Sequence, residues 1–240
     1  MKTKFLVTTI IYFIMLTVLP LRSNTIYSND FENASDPLVE WSPVKVDVTP
    51  GTIQHPSDRF LGIFGESEAT SLTLNGLPIW TEEVRITFDL YAVRSWDGIS
   101  WWAGPDIWEI NVEGGDVLLR STFSNCGGTG FDQSYLGSYP GDTYPMRTGA
   151  NETDTLGYPE EYAGDAVYKL SFQFPYSDNS TLVLNFLGSL VRTSYPVPDE
   201  GWGIDNIQVE AIPEPATLLL LGLGSLLFRR QRSEDRRQRN

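Results

Sequence analysis

Between residues 27 and 211 apolar side chains recur with a period of two, and stretches with the 3.6-residue helical period are scarce. Val44, Val46 and Val48 share one face of a strand. Val84, Ile86, Phe88, Leu90 and Ala92 face one way while Arg85, Thr87 and Asp89 face the other. Trp108, Ile110 and Val112 run into Glu113-Gly114-Gly115-Asp116, a hairpin-turn signature, after which residues 117–123 return. Tyr168, Leu170, Phe172 and Phe174 alternate with Lys169, Ser171 and Gln173, and Leu182, Leu184 and Phe186 follow the turn-forming residues 177–180. A last strand runs from about Gly203 to Ala211. About eight short strands, patterned on one side and punctuated by Gly, Pro and Asp, predict an all-β fold, a single antiparallel β-sandwich of jelly-roll-like form. Residues 124–165 break the rhythm. They are rich in Gly, Tyr, Asp and Pro, and so long a stretch without a strand signal reads as a functional loop region.

The two ends follow a different pattern. Lys2 and Lys4 precede the apolar run from Phe5 to Leu19, and Pro20-Leu21-Arg22-Ser23 provides a polar exit. This is the layout of a secretory signal peptide, placed at residues 1–25 with Ser23 or Thr25 last before the cut; the alternative is an uncleaved anchor helix. The sandwich then occupies residues 26–211. From Ile212 the chain reads Pro213-Glu214-Pro215, then thirteen uncharged residues from Ala216 to Phe228, then six arginines at 229, 230, 232, 236, 237 and 239. Thirteen helical residues rise roughly 20 Å against a hydrocarbon core of about 30 Å. A transmembrane helix therefore needs the turn after Pro215 and arginines that snorkel back to the interface. Those arginines keep the tail cytoplasmic and the body outside.

Residues 213–224, Pro-Glu-Pro-Ala-Thr-Leu-Leu-Leu-Leu-Gly-Leu-Gly, closely resemble the PEP-CTERM sorting signal of Gram-negative bacteria. The resemblance implies recognition at Pro213, Glu214 and Pro215 by exosortase, a membrane transpeptidase that cuts near this motif. It also implies a transient hold in the inner membrane, then delivery to the cell surface or extracellular matrix. A plain membrane anchor is the alternative, whereas a lipid-anchor signal of the GPI type lacks the arginine tail.

Charge divides the chain the same way. Residues 27–211 hold 28 Asp and Glu against 8 Lys and Arg, a net of −20, while the whole chain carries −14. So acidic a body repels nucleic acid and favours solubility and divalent cations. Cys126 is the only cysteine, which rules out an intramolecular disulfide and leaves either a reactive thiol or an ordinary loop cysteine. His55 is the only histidine, which disfavours histidine-ligated metal hydrolysis and a Ser-His-Asp relay. Paired carboxylates for glycoside hydrolysis remain open.

Two constellations suit ligands. Asn29-Asp30-Phe31-Glu32 with Trp41 opens the body, and Gly201-Trp202-Gly203-Ile204-Asp205-Asn206 stands near its end. In a sandwich whose first and last strands are neighbours, Asp30, Glu32 and Asp205 converge on one calcium ion, which takes six to eight hard oxygens. These segments resemble jelly-roll carbohydrate-binding modules and related adhesion sandwiches. The resemblance implies a structural calcium held by Glu32 and Asp205, with Asp30 beside them; turn capping is the alternative. In the second constellation Asp97 and Asp106 bracket a tight loop holding Trp96, Trp101 and Trp102. Two such carboxylates can share a calcium or pin the loop through backbone amides, and Trp101 and Trp102 can form a stacking platform for sugar rings or pack inward. Tyr135, Tyr139, Tyr144, Tyr158 and Tyr162 add amphipathic surface in the long loop.

The expectation is an exported, non-enzymatic cell-surface or matrix protein with a calcium-stabilised sandwich. Its rivals are a carbohydrate-binding module for extracellular polysaccharide and a glycan-active hydrolase with two groove carboxylates.

Overall fold

The alternating segments form two antiparallel sheets packed face to face. The computed structural model describes residues 23–176, 181–191 and 200–214; the signal-peptide run before Ser23, and Pro215 with the apolar run and arginine tail, lie outside these residues. The strands are β1 (Asn24–Asn29), β2 (Trp41–Ser42), β3 (Val46–Val48), β4 (Arg59–Phe64), β5 (Ala69–Asn75), β6 (Thr81–Val93), β7 (Ile107–Val112), β8 (Val117–Thr122), β9 (Glu152–Thr153), β10 (Asp165–Pro175), β11 (Thr181–Ser189) and β12 (Gly201–Pro213). One sheet has the order β3-β4-β12-β6-β10-β9, with β1 also on β12; the other has the order β2-β5-β11-β7-β8.

The period-two pattern decides what lies between the sheets. Val84, Ile86, Phe88 and Leu90 of β6 meet Leu72, Trp108, Ile110, Leu184 and Phe186 of the facing sheet, all buried. Aromatic edges lock the layers, with Phe88 and Phe186 5.6 Å apart and Trp108 and Trp202 6.1 Å apart. Each large apolar side chain so buried contributes about 1.5–3 kcal/mol. β6 and β10 pair without interruption from Asp165↔Val93 to Pro175↔Glu83.

The Val44, Val46 and Val48 face differs from its pattern. β3 is an edge strand hydrogen-bonded only to β4, so Val44 and Val48 stay exposed although they alternate like core residues.

β12 holds the architecture together. Between Asp205↔Asp89 and Gln208↔Thr87 it carries one extra residue, with Asn206 in the left-handed region at φ 50°. Such a bulge turns a strand. Before it, Trp202 and Ile204 pair with β4; after it, Ile207 to Ala211 pair with β1. β12 also starts earlier and ends later than the alternation predicts, at Gly201 and Pro213. Pro213 of the Pro-Glu-Pro motif is thus buried against Thr81, and Glu214 is exposed. At the other end, Asn24 pairs with Ala211, so β1 begins inside the span read as signal peptide.

Residues 124–165 are ordered by buried polar side chains in place of a hydrophobic stripe. The Gln133 amide is a hub: Oε1 accepts from the Ser124 and Arg147 amides at 3.1 and 2.9 Å, and Nε2 donates to the Tyr135 and Thr148 carbonyls at 2.9 Å. Asp165 accepts from the Thr155, Leu156 and Tyr158 amides at 2.9–3.2 Å. The Gln133↔Tyr144 and Asp97↔Ser124 bridges, β9 and a 3₁₀ turn at Glu160–Tyr162 interrupt the irregular backbone.

The sandwich has two poles. β6 spans 13 residues, placing Thr81 and Val93 about 40 Å apart at roughly 3.3 Å per residue. Pro213, the start of β1 and the β5–β6 turn lie at the Thr81 pole. The tryptophan loop and most of the long loop lie at the Val93 pole, where Arg94 bonds Gly164 and Asn125 bonds Trp96.

Candidate functional site

At the Val93 pole the chain must turn from β6 to β7, and residues 94–106 make that turn. Trp96 points inward, its indole N–H donating to the Gly201 carbonyl at 2.8 Å and its ring edge-on to Phe123 at 6.0 Å. The loop closes on itself because one oxygen of Asp106 accepts from the Asp97 amide at 2.6 Å and the other from the Val191 amide at 2.9 Å. Gly98 is required here: its φ is +64°, and a Cβ would run into the Asp132 carbonyl oxygen.

Asp97 and Asp106 come together as the sequence suggests, and Glu200 joins them. Ligand atoms of all three lie within 4.8 Å of one another, and all three residues are buried. Among the described residues this is the one such trio of metal-competent side chains. Glu200 was not legible as a member, since nothing in its local sequence links it to a loop about one hundred residues earlier. The closed loop leaves Trp101 89% and Trp102 58% exposed. Trp102 stands edge-on to Phe131 at 5.5 Å.

Phe131 is also one wall of an open groove of about 430 Å³, whose other walls include Asn125, Cys126, Arg147, Asp154 and Glu160. The Arg147 guanidinium is fixed by two bonds to Asp154 at 2.7 and 2.8 Å and by one to the Ala163 carbonyl at 2.9 Å. Asn125 donates to the Ala92 and Arg94 carbonyls, both at 2.9 Å, and its buried Oδ1 has no hydrogen-bond partner among the described residues. Arg147, Asp154 and Ala163, all groove residues, adopt φ of 58–65°. Left-handed backbone at non-glycine residues is costly and clusters at functional sites. Burial, and then the neighbouring Asp97 carboxylate, push the Cys126 thiol well above the ordinary range, which disfavours its thiolate.

The first predicted set does not assemble. Glu32 accepts the Arg59 amide at 2.7 Å and Asp30 accepts the Glu32 amide at 3.3 Å, both as turn and strand caps. Asp30 lines a separate cleft with Asn33, Asp36 and Asn206. Asp205, 1% exposed, lies at the bulge and takes the Tyr91 hydroxyl at 2.8 Å and the Asn206 amide at 2.7 Å. The same hydroxyl lies 3.2 Å from Asp58, so one phenolic proton faces two carboxylates. Burial first, then the facing Asp58, raises the Asp205 carboxyl to about 7, against the hydrogen bonds from Tyr91 and Asn206. Asp205 is therefore a buried carboxyl that faces the partly buried Asp58 across the Tyr91 hydroxyl.

Comparison with known proteins adds the following. No curated protein matches the chain. Among solved structures, it is similar to a carbohydrate-binding module described for specific mannan recognition, at 13% identity over 79% of this chain and 98% of the other, with a TM-score of 0.35. It is similar to the CBM2 module of an evolved Dit of Lactobacillus casei BL23 phage J-1, at 11% identity over 81% and 98%, with a TM-score of 0.34. It is also similar to latent dimeric PorU from Porphyromonas gingivalis, at 15% identity and a TM-score of 0.34, covering 62% of this chain but only 11% of that one. The sandwich itself rests on the strand pairing above, and no ligand is read from these resemblances. Residues 211–233 match the family model of the PEP-CTERM protein-sorting motif, so this chain carries that sorting motif, beginning within β12.

Proposed function

We propose that this chain is an exported protein, processed by an exosortase-type system, whose jelly-roll-like sandwich is a non-catalytic module binding extracellular polysaccharide at the cell surface or in the matrix. The observation that carries this reading is the exposure of Trp101 and Trp102 beside a polar groove, at the pole opposite the sorting motif. Largely exposed indoles cost solubility and contribute little to folding, whereas their faces match the apolar faces of sugar rings. Asn125, Arg147 and Glu160 supply donors and acceptors for hydroxyl groups alongside. Because acids outnumber bases throughout the body, the ligand is a neutral polysaccharide.

Two observations favour binding over hydrolysis. Asp154 in the groove is held by both its oxygens in the Arg147 ion pair. Of the other close carboxylates, Asp58 and Asp205 lie within hydrogen-bonding reach of each other with Asp205 sealed from solvent, and Asp97, Asp106 and Glu200 are all buried within 4.8 Å of one another. A glycosidase pair needs about 5 Å or more between accessible carboxyl groups.

A calcium ion at Asp97, Asp106 and Glu200 belongs to the same proposal. Three buried hard-oxygen side chains this close suit it, and the ion would brace the loop that presents the tryptophans.

Affinity electrophoresis through a panel of neutral polysaccharides tests the function. At least one polymer should retard the protein, and Trp101→Ala or Trp102→Ala should weaken binding roughly tenfold, the loss of about 1.4 kcal/mol of contact. Binding that survives both substitutions removes the platform; release of reducing ends favours the hydrolase.

A further inference from the structure

The Thr81 pole carries an apolar surface that the binding site does not use. The β5–β6 turn projects Ile79, 85% exposed, and Trp80, 41% exposed, while Val39, 76% exposed, stands across a cleft shared with Leu77 and Pro78. In a chain so rich in acids, three large apolar side chains together at one end need an explanation.

The path of the chain identifies what lies opposite them. Pro213 is still paired with Thr81, the residue after Trp80. Three residues later, at Ala216, the uncharged run of the sorting motif begins. Three residues reach about 10 Å even fully extended. That run is thirteen residues long and rises roughly 20 Å as a helix, less than the bilayer core, so it leaves no slack outside the membrane. With the motif held in the bilayer, that short reach would leave the Thr81 pole close to the headgroups.

We propose that this pole is a lipid-facing surface: Ile79, Trp80 and Val39 seat in the membrane interface beside the point where β12 hands the chain to the sorting motif. Tryptophan favours this boundary, and isoleucine and valine gain by leaving water. Glu82, Glu83 and Glu214 flank the patch, so the lipids it suits are zwitterionic and not anionic. The sandwich then stands upright, with Trp101 and Trp102 about 40 Å from the membrane at roughly 3.3 Å per strand residue. Before processing, docking fixes the orientation of the cleavage region; after processing, the patch is released with the domain.

The test uses the full chain in liposomes of phosphatidylcholine and phosphatidylethanolamine, in a Cys126→Ser background with a fluorophore on Ile79→Cys, Val39→Cys or Trp101→Cys. Flotation with the liposomes reports the tail, and quenching by headgroup-level spin-labelled lipid reports the pole. The expected result is several-fold stronger quenching at 79 and 39 than at 101, weakened when phosphatidylglycerol replaces the zwitterionic lipids. Adding Trp80→Asp should weaken the quenching at 39 several-fold while flotation persists. Equal, weak quenching at all three positions overturns the inference, as does disulfide cross-linking of unlabelled Ile79→Cys between two copies without lipid quenching. A chain that fails to float overturns it together with the membrane reading of the tail. Polysaccharide binding is a separate measurement, and its loss leaves this inference standing.

Discussion

Replacing Asp205 with asparagine removes a proton-binding site that folding creates. In the unfolded chain this carboxyl titrates at its ordinary 3.8; in the sandwich, burial and then the facing Asp58 raise it to about 7. Between those values the folded protein holds a proton that the unfolded chain has released. Stability from this site is thus fully present below pH 4 and is lost as pH rises toward 7. A rise of that size corresponds to several kcal/mol, at about 1.36 kcal/mol for each tenfold change in proton affinity. Asp58 and Asp205 share the Tyr91 hydroxyl, so the slope belongs to the pair. Asparagine keeps the shape and can still accept the Asn206 amide, while its own N–H donates to Asp58 at every pH. Urea unfolding of residues 23–214, followed by tryptophan fluorescence at fixed ionic strength from pH 4 to 8, measures the effect. Self-repulsion of the acidic body also weakens the fold as pH rises, so the deciding quantity is parent minus variant. That difference should swing by several kcal/mol in favour of Asp205→Asn as pH increases. A difference constant to within about 1 kcal/mol across the range would refute the shared-proton account.

Three further outcomes follow from the same geometry. Gln133→Ala leaves buried amides and carbonyls unsatisfied and should cost about 3 kcal/mol or more, with hydrogen exchange rising across residues 124–165 before the sheets are affected. If calcium sits at Asp97, Asp106 and Glu200, its addition should raise the melting midpoint and excess chelator should lower it; a midpoint indifferent to both removes the ion from the account. Deleting Pro213 to Pro215 should leave the protein in the inner membrane, seen by fractionation, and normal surface delivery of that variant would contradict processing at the motif.

Several features of this protein were present in its sequence alone. The sandwich strands β6, β7, β8, β10 and β11 were readable because one-sided burial imposes a period of two on each strand. The sorting motif was readable because its parts are contiguous and need no partner elsewhere in the chain. The pairing of Asp97 with Asp106 was readable because a tight loop brings its own ends together. The Val44 to Val48 face misled because alternation records which side a residue faces and cannot record whether another strand covers it.

What needed the tertiary structure were relations between distant segments. Glu200 reaches the Asp97 loop only because β12 lies beside β6, and Asp205 turns toward Tyr91 and away from Asp30 only because a bulge at Asn206 redirects the strand. Gln133 and Asp165 organise the long loop through buried hydrogen bonds, which leave no periodic trace in sequence. The same holds for the two poles. Trp80 and Trp101 are alike as residues, but the length of β6 puts one beside the sorting motif and the other at the far end of the sandwich. Local pattern records the environment of one strand at a time; the side of the molecule on which each loop emerges is decided only when the two sheets close.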